Sequence, residues 1–488
     1  MLFNSYVFIF AFLPITFFIY FYLNKKKYFS LGKIFLIFSS LFFYAWWNII
    51  YLPIILISIY FNYKIGHFLV KDKPFFLKKI SKKNLLKFGI IANILLLGYF
   101  KYRDFFIENI NFIFNSDFVL LEMALPLALS FFTFQQISYL VDSYKKELTK
   151  NSFLDYALFV TFFPQLIAGP IVQHKEMMGQ FASKTNTYLS YQNIAMGLFI
   201  FNIGLFKKVV IADTFSVWAN NGFDVAVTLN FLEAWATSLS YTFQLYFDFS
   251  GYTDMAIGIA LLFNIKLPIN FNSPYKAQSI QDFWRRWHLT LSRFLRDYIY
   301  IPLGGNKQGS WRTYRNLMIT FILAGFWHGA GWTFVFWGFL HGLALIVHRL
   351  WRLLGFKLWA WVAWLLTFNF INISWIFFRA KEWDDALKIL KSMFNIEHIV
   401  LPSFLENNLL FLNEYQVSFG NFLVNIKGES TTFIWIFLAF IITLYCTNSI
   451  EKLKVLKLNI QTAFFSAILF MMSIISLNKV SEFLYFNF

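Results

Sequence analysis

Residues 316–348, NLMITFILAGFWHGAGWTFVFWGFLHGLALIVH, run uncharged from Arg315 to Arg349. One helix of 33 residues would be about 50 Å long, against a hydrocarbon core of about 30 Å. Basic residues gather on the cytoplasmic side of a membrane, so both ends are expected there. The segment must therefore turn, giving two arms of about 16 residues, or ~24 Å each. Its middle, Gly325 to Trp332, holds three glycines suited to a bend or a close helix crossing. Residues 34–63, between Lys33 and Lys64, show the same pattern.

The composition agrees with a bilayer as solvent. Of 488 residues 58% are hydrophobic, 23% aromatic and 14% charged. A soluble domain carries roughly 25% charged residues. This excludes a soluble enzyme and a disordered chain. The single cysteine, Cys446, excludes an intramolecular disulfide and a CxxC centre. The net charge of +17 reads as a topological signal, not as a nucleic-acid footprint.

The basic clusters Lys25–Lys33, Lys64–Lys87, Lys145/Lys146, Lys207/Lys208, Arg285–Arg315, Arg349–Lys357 and Lys452–Lys457 are expected in the cytoplasm. The acidic stretches Glu108–Glu122 and Glu397–Glu429 are expected outside. Residues 1–23 are uncharged and lead into Lys25-Lys26-Lys27, which marks a first span with an outer N-terminus and not a cleaved leader. The last apolar run, near 460–477, starts inside and ends outside. The expectation is an all-α membrane protein with about 10–12 spans, some short or re-entrant. One membrane domain covers 1–478 and a short outer tail 479–488. Within it, 281–315 is basic, aromatic and amphipathic, as interfacial helices are.

Few residues can carry chemistry. Of seven histidines, only His328 falls at mid-membrane depth, where a polar group is costly and marks function or an interhelical hydrogen bond. A neutral imidazole there can take a proton from a hydroxyl. His288 lies in Asp282-Phe283-Trp284-Arg285-Arg286-Trp287-His288. Its arginines suit either the phosphates of a thioester donor or anionic lipid. Asp248 and Asp254 fit a cation or proton site as well as helix caps. His341 and His348 share a helix face, but no metal-ligand spacing, P-loop or GxSxG elbow occurs. The chain closes on Phe483-Leu484-Tyr485-Phe486-Asn487-Phe488, an aromatic interface belt or something more specific.

The run from Asp282 to His288, the later Arg296-Asp297-Tyr298-Ile299-Tyr300-Ile301-Pro302-Leu303-Gly304-Gly305-Asn306 and Trp327-His328-Gly329-Ala330-Gly331-Trp332 together resemble the membrane-bound O-acyltransferases, in their bacterial polysaccharide O-acetyltransferase branch. Supporting stretches are Ser130–Gln135, Ala168–Val172 and Gln244–Asp254. The resemblance implies a ring of helices around a thinned centre, with a tunnel joining a cytoplasmic donor site to an outer funnel. It gives the central histidine role to His328 and the cytoplasmic-side role to His288. Phe483, Tyr485 and Phe488 match an acyl-carrying Phe-x-Tyr-x-x-Phe tail.

The implied function is O-acetyl transfer across the inner membrane. Acetyl-CoA or a similar acetyl thioester serves as donor substrate near Arg285, Arg286 and Arg296, and no resident cofactor or metal is implied. Tyr485 carries the acetyl group. A periplasmic SGNH-type esterase/acetyltransferase partner passes it to a polysaccharide, first peptidoglycan, alternatively alginate or another exopolysaccharide. A transporter using Asp248, Asp254 and His328 is the alternative of another class. It would call for an inverted repeat that the sequence lacks.

Overall fold

The structure is a computed structural model describing residues 1–70, 80–145, 152–167, 169–477 and 484. The Phe483, Tyr485 and Phe488 positions, Ala168 and Lys146 lie outside the described residues. Among the described residues helices make up nearly all regular structure, and the strands are a three-residue parallel pair, Val400–Pro402 with Ser418–Gly420.

Among the described residues six helical stretches are long and apolar enough to cross a membrane: Phe8–Lys25, Ile49–Val70, Lys82–Phe114, Tyr191–Val225, Trp332–Leu353 and Ala360–Arg379. Phe29–Ala45, Ser430–Leu444 and Ile460–Ser476 are shorter apolar helices. The protein is thus an all-α, multi-pass membrane protein. Both charge-free segments turn as their lengths require. The first breaks between Phe29–Ala45 and Leu52–Val70. The second forms Ser310–His328 and Trp332–Leu353, joined through Gly329-Ala330-Gly331. Gly325 and Gly338 make that hairpin close. A Cβ on either would overlap a carbonyl oxygen of the facing arm, Phe334 or Phe321.

The helix Phe231–Leu262 is buried along almost its whole length and serves as the central post. Its start is fixed by a reciprocal cap. Asn230 accepts from the Glu233 amide at 2.9 Å, and the buried Glu233 carboxylate accepts from Asn230 N at 3.0 Å and Asn425 N at 2.8 Å. Against it lies Tyr191–Phe206. Gly197 and Gly204 on one helix face Gly258 and Gly251 on the other, so the backbones meet directly. A Cβ on Gly251 would stand 2.7 Å from the Gly204 oxygen.

Two expectations change here. Lys207 and Lys208 are among the basic clusters expected in the cytoplasm. They sit inside the Tyr191–Val225 stretch, in the π-helical turn Lys207–Ala212, where carboxylates of the central helix hold them. The 281–315 segment forms the short helices Ile280–Trp284 and Leu289–Leu295 and then the start of the hairpin. Its aromatic face packs inward on protein, with Trp287 against Phe271 and Trp375 at ring separations of 5.0 and 5.1 Å.

The glycine crossing makes a test. Gly251→Val should destabilise the protein by about 1–3 kcal/mol through overpacking. Gly179→Ala, where a Cβ meets nothing within 4 Å, should not. Thermal unfolding in detergent, followed by tryptophan fluorescence, separates the two.

Candidate active site

His328 is the last residue of the hairpin's first arm and is 4% exposed. A helix ending there leaves carbonyls without helical partners. Three are met from one neighbouring turn, the π-helical Gly98–Tyr102. Tyr102 Oη donates to Phe326 O at 2.9 Å, and Lys101 Nζ donates to Trp327 O at 2.6 Å and to His328 O at 3.0 Å. A cation at a helix C-terminus also opposes the negative end of the helix dipole. The ring of His328 sits among Trp327, Phe378 and Trp337, with centroids at 4.8, 5.0 and 5.2 Å. A cavity of about 320 Å³ opens beside it, lined in part by Lys101, Arg103, Asp104, Gly329, Ala330 and Phe334.

His288 is a correction to its expected place. Its arginine neighbours suggest a cytoplasmic basic-aromatic patch, yet it is fully buried, and its ring lies edge-on to Phe249 of the central helix at 4.8 Å. The backbone at His288 is left-handed, with φ +43°, a conformation that is costly for a non-glycine residue. Asn270 holds that turn. Its carbonyl accepts from Leu289 N at 3.0 Å, and its Oδ1 accepts from Thr290 Oγ1 at 2.6 Å. Neither ring nitrogen of His288 has a hydrogen-bond partner among the described residues. His288 and His328 lie close enough to influence each other electrostatically.

His341 is a contrasting case. It accepts from Trp284 Nε1 at Nδ1, 3.1 Å, and its Nε2 meets Ser374 Oγ at 3.1 Å. Because an indole only donates, Nδ1 must be the bare nitrogen and Nε2 carries the proton. Both positions are in use, which suits a structural role. Among the described residues no group of three His, Cys, Asp or Glu could hold a metal ion.

The arginines expected at the donor site lie outside this core. Arg285 is exposed. Arg286 donates to Asp282 Oδ1 at 2.8 Å, and Arg296 pairs with Asp297 at 2.7 Å. Asp297 thereby holds the exposed Arg296 guanidinium above its ordinary pKa. The segment from Asp282 to His288 thus runs from a charged surface to a buried imidazole.

Asp248 and Asp254 are neither caps nor an isolated acidic pair. Asp254 pairs with Lys207 at 2.7 Å, Asp248 with Lys208 at 2.6 Å, and Lys208 also with Asp213 at 2.9 Å. Along the same central helix, Thr237, Ser240, Gln244 and Thr253 each carry a buried side-chain oxygen with no hydrogen-bond partner among the described residues.

The sequence profile of the membrane-bound O-acyltransferase family matches residues 31–381. The chain belongs to that family. It is an O-acyltransferase, and the transporter reading falls with that assignment. A peptidoglycan O-acetyltransferase of Helicobacter pylori is 50% identical over 100% of this chain and 98% of its own length. A probable alginate O-acetylase of Pseudomonas aeruginosa is 40% identical over 81% of this chain and 75% of its own. A teichoic acid D-alanyltransferase of Streptococcus thermophilus is 30% identical over 46% of this chain and 57% of its own.

Sequence reasoning missed Lys101 and Asn270. Lys101 had a signal, a lysine next to Gly98-Tyr99-Phe100 at the end of a long apolar run. Asn270 had none. Replacing Lys101 by Met should leave the Trp327 and His328 carbonyls unpaired, at a cost of about 1–3 kcal/mol for each buried group. Thermal unfolding should fall accordingly, and Lys101→Arg should recover part of the loss.

Proposed function

We propose that this O-acyltransferase carries an acetyl group from a cytoplasmic thioester, acetyl-CoA or a similar donor, to a cell-surface polysaccharide through its own C-terminal tyrosine. The observation that carries this reading is the pair of buried histidines. His328 sits at a hairpin apex braced by Lys101 and Tyr102, and His288 stands near it with both ring nitrogens unclaimed among the described residues.

In the first step His328 takes the phenol proton of Tyr485 as the phenol oxygen attacks the thioester carbonyl. An unperturbed tyrosine has a pKa of about 10, so a base is needed at neutral pH. The C–S bond breaks, and the departing thiolate leaves as thiol with the proton from His328. His288 lines the donor side, and Arg285, Arg286 and Arg296 receive the donor's phosphates at the cytoplasmic surface. In the second step the serine of a periplasmic SGNH-type partner takes the acetyl from Tyr485 and restores the phenol. That partner then esterifies a sugar hydroxyl.

Similarity along the full length of a peptidoglycan O-acetyltransferase favours peptidoglycan as the acceptor. The alginate O-acetylases, matched over 81% of this chain, make an exopolysaccharide the alternative. The scheme places the protein in the inner membrane, with both termini and the cavity beside Gly329 on the periplasmic side.

Tyr485→Phe should abolish polymer acetylation while membrane insertion persists, measured as acetate released from purified polymer. His328→Ala should leave the C-terminal peptide without the acetyl mass increment. Wild-type acetate content in the Tyr485→Phe strain would end the relay scheme.

A further inference from the structure

A file of aromatic rings joins the segment that follows His288 to the hairpin arm that ends at His328. That segment comprises the helix Leu289–Leu295 and the π-helical turn Arg296–Tyr300. Its Tyr298 lies beside Phe294, with ring centroids 4.9 Å apart. Phe294 stacks on Phe134 of the helix Leu129–Tyr144 at 4.1 Å, with planes 16° apart. Phe134 stacks in turn on Trp327 at 4.9 Å and 17°. The Trp327 ring meets the ring of His328 at 4.8 Å. Rings at these separations are in contact, and a close-packed interior does not compress freely, so the column has a set length. Polar groups tie down its far end. Tyr298 Oη donates to Asp142 Oδ1 at 3.0 Å and to Oδ2 at 3.1 Å, and His174 Nδ1 stands 3.2 Å from Oδ2. Asp142 and His174 are both 2% exposed. Asp142 lies about two helical turns beyond Phe134, on the same face of the same helix. A second tie comes from the helix His174–Ala182, whose Glu176 accepts from Arg293 Nη1 at 2.5 Å and from Nη2 at 2.9 Å.

We propose that Tyr298 and Phe134 are positioning residues: anchored by Asp142, the column Tyr298–Phe294–Phe134–Trp327 sets the spacing between the donor-side segment and His328. A hydroxyl donating to a carboxylate makes one of the stronger hydrogen bonds, so Tyr298 is held at one height. Each ring above it passes that height to the next, and Trp327 delivers it to its chain neighbour His328. Arg296 sits between the two ties, at Arg293 and at Tyr298, on the segment that the column braces. The effect on turnover rests on the proposed roles of His328 as base and of this segment as donor site; the column itself does not. A base misplaced by a fraction of an ångström slows the transfer step, while binding at the exposed arginines is left as it was.

The test uses the full-length protein in detergent with acetyl-CoA as the probe. Thiol release gives the rate constant of the first turnover and the acetyl-CoA concentration at half-maximal rate. Tyr298→Phe keeps the ring and removes the tie to Asp142, whereas Phe134→Leu removes the middle of the stack. Each should lower the rate constant by about tenfold or more and move the half-maximal concentration by less than about twofold. The double variant should be no slower than the slower single variant, because both break one link. Ser138→Ala, on the same helix but bonded only to Gln135 O, should change neither quantity. Losses that multiply in the double variant would overturn the column, as would a raised half-maximal concentration at an unchanged rate. Arg296→Gln should raise the half-maximal concentration alone; if it does not, the donor-phosphate reading fails and the column stands. Should the wild type release no thiol, the acetyl-CoA reading falls, and thermal unfolding of the same variants decides the column. A Tm loss in the double variant smaller than the sum of the single losses supports it, and a loss equal to that sum overturns it.

Discussion

A helix that stops inside a membrane must have its last carbonyls met by protein, because no water is there to meet them. The hairpin arm that ends at His328 obeys this through Lys101 and Tyr102, whose polar ends serve three successive carbonyls. This is what allows the chain to break at Gly329 without a large energetic loss. The break in turn leaves an imidazole at the apex, walled by Trp327, Trp337 and Phe378. The bend, the box and the adjoining cavity all depend on a lysine in another helix.

The interior separates two kinds of histidine that burial alone would merge. His341 and His288 are both fully buried. One has a partner at each nitrogen and a tautomer set by an indole; the other has no hydrogen-bond partner among the described residues and a backbone held in a costly conformation by Asn270. Hydrogen-bond completeness, not depth, marks which of them is available to a ligand. The paired aspartates obey the same rule. Each carboxylate is met by a lysine, Asp248 by Lys208 and Asp254 by Lys207.

Much of the architecture was legible because it is arithmetic. Two uncharged stretches with basic ends are too long for one crossing, and both turn: the first between Ala45 and Leu52, the second at Gly329–Gly331, within the glycine-rich middle that the sequence marks. His328 was legible by depth. Lys207 and Lys208 misled because basic residues report topology only when nothing neutralises them. One partner of Lys208, Asp213, is five residues away, but Asp248 and Asp254 come some 40 residues later, on another helix. The arginine neighbours of His288 point to a cytoplasmic basic-aromatic patch and do not reveal that its ring is buried. Helical periodicity does not foresee a left-handed residue that turns the chain inward. Tyr485 was legible only through resemblance to a motif, and it lies outside the described residues.

The turn that carries Lys101 has one more geometric consequence. Along Lys82–Leu97 the inward face advances in strides of four, through Leu85, Gly89, Asn93 and Leu97. The next buried residue is Tyr102, a stride of five. The widened turn adds one residue to the cycle and so puts the rest of the helix out of phase with its beginning. A single inserted residue thus works as a rotary offset: one rod shows one face to its neighbours in the lower half of its crossing and another in the upper half, where a lysine and a tyrosine side by side can address the same target.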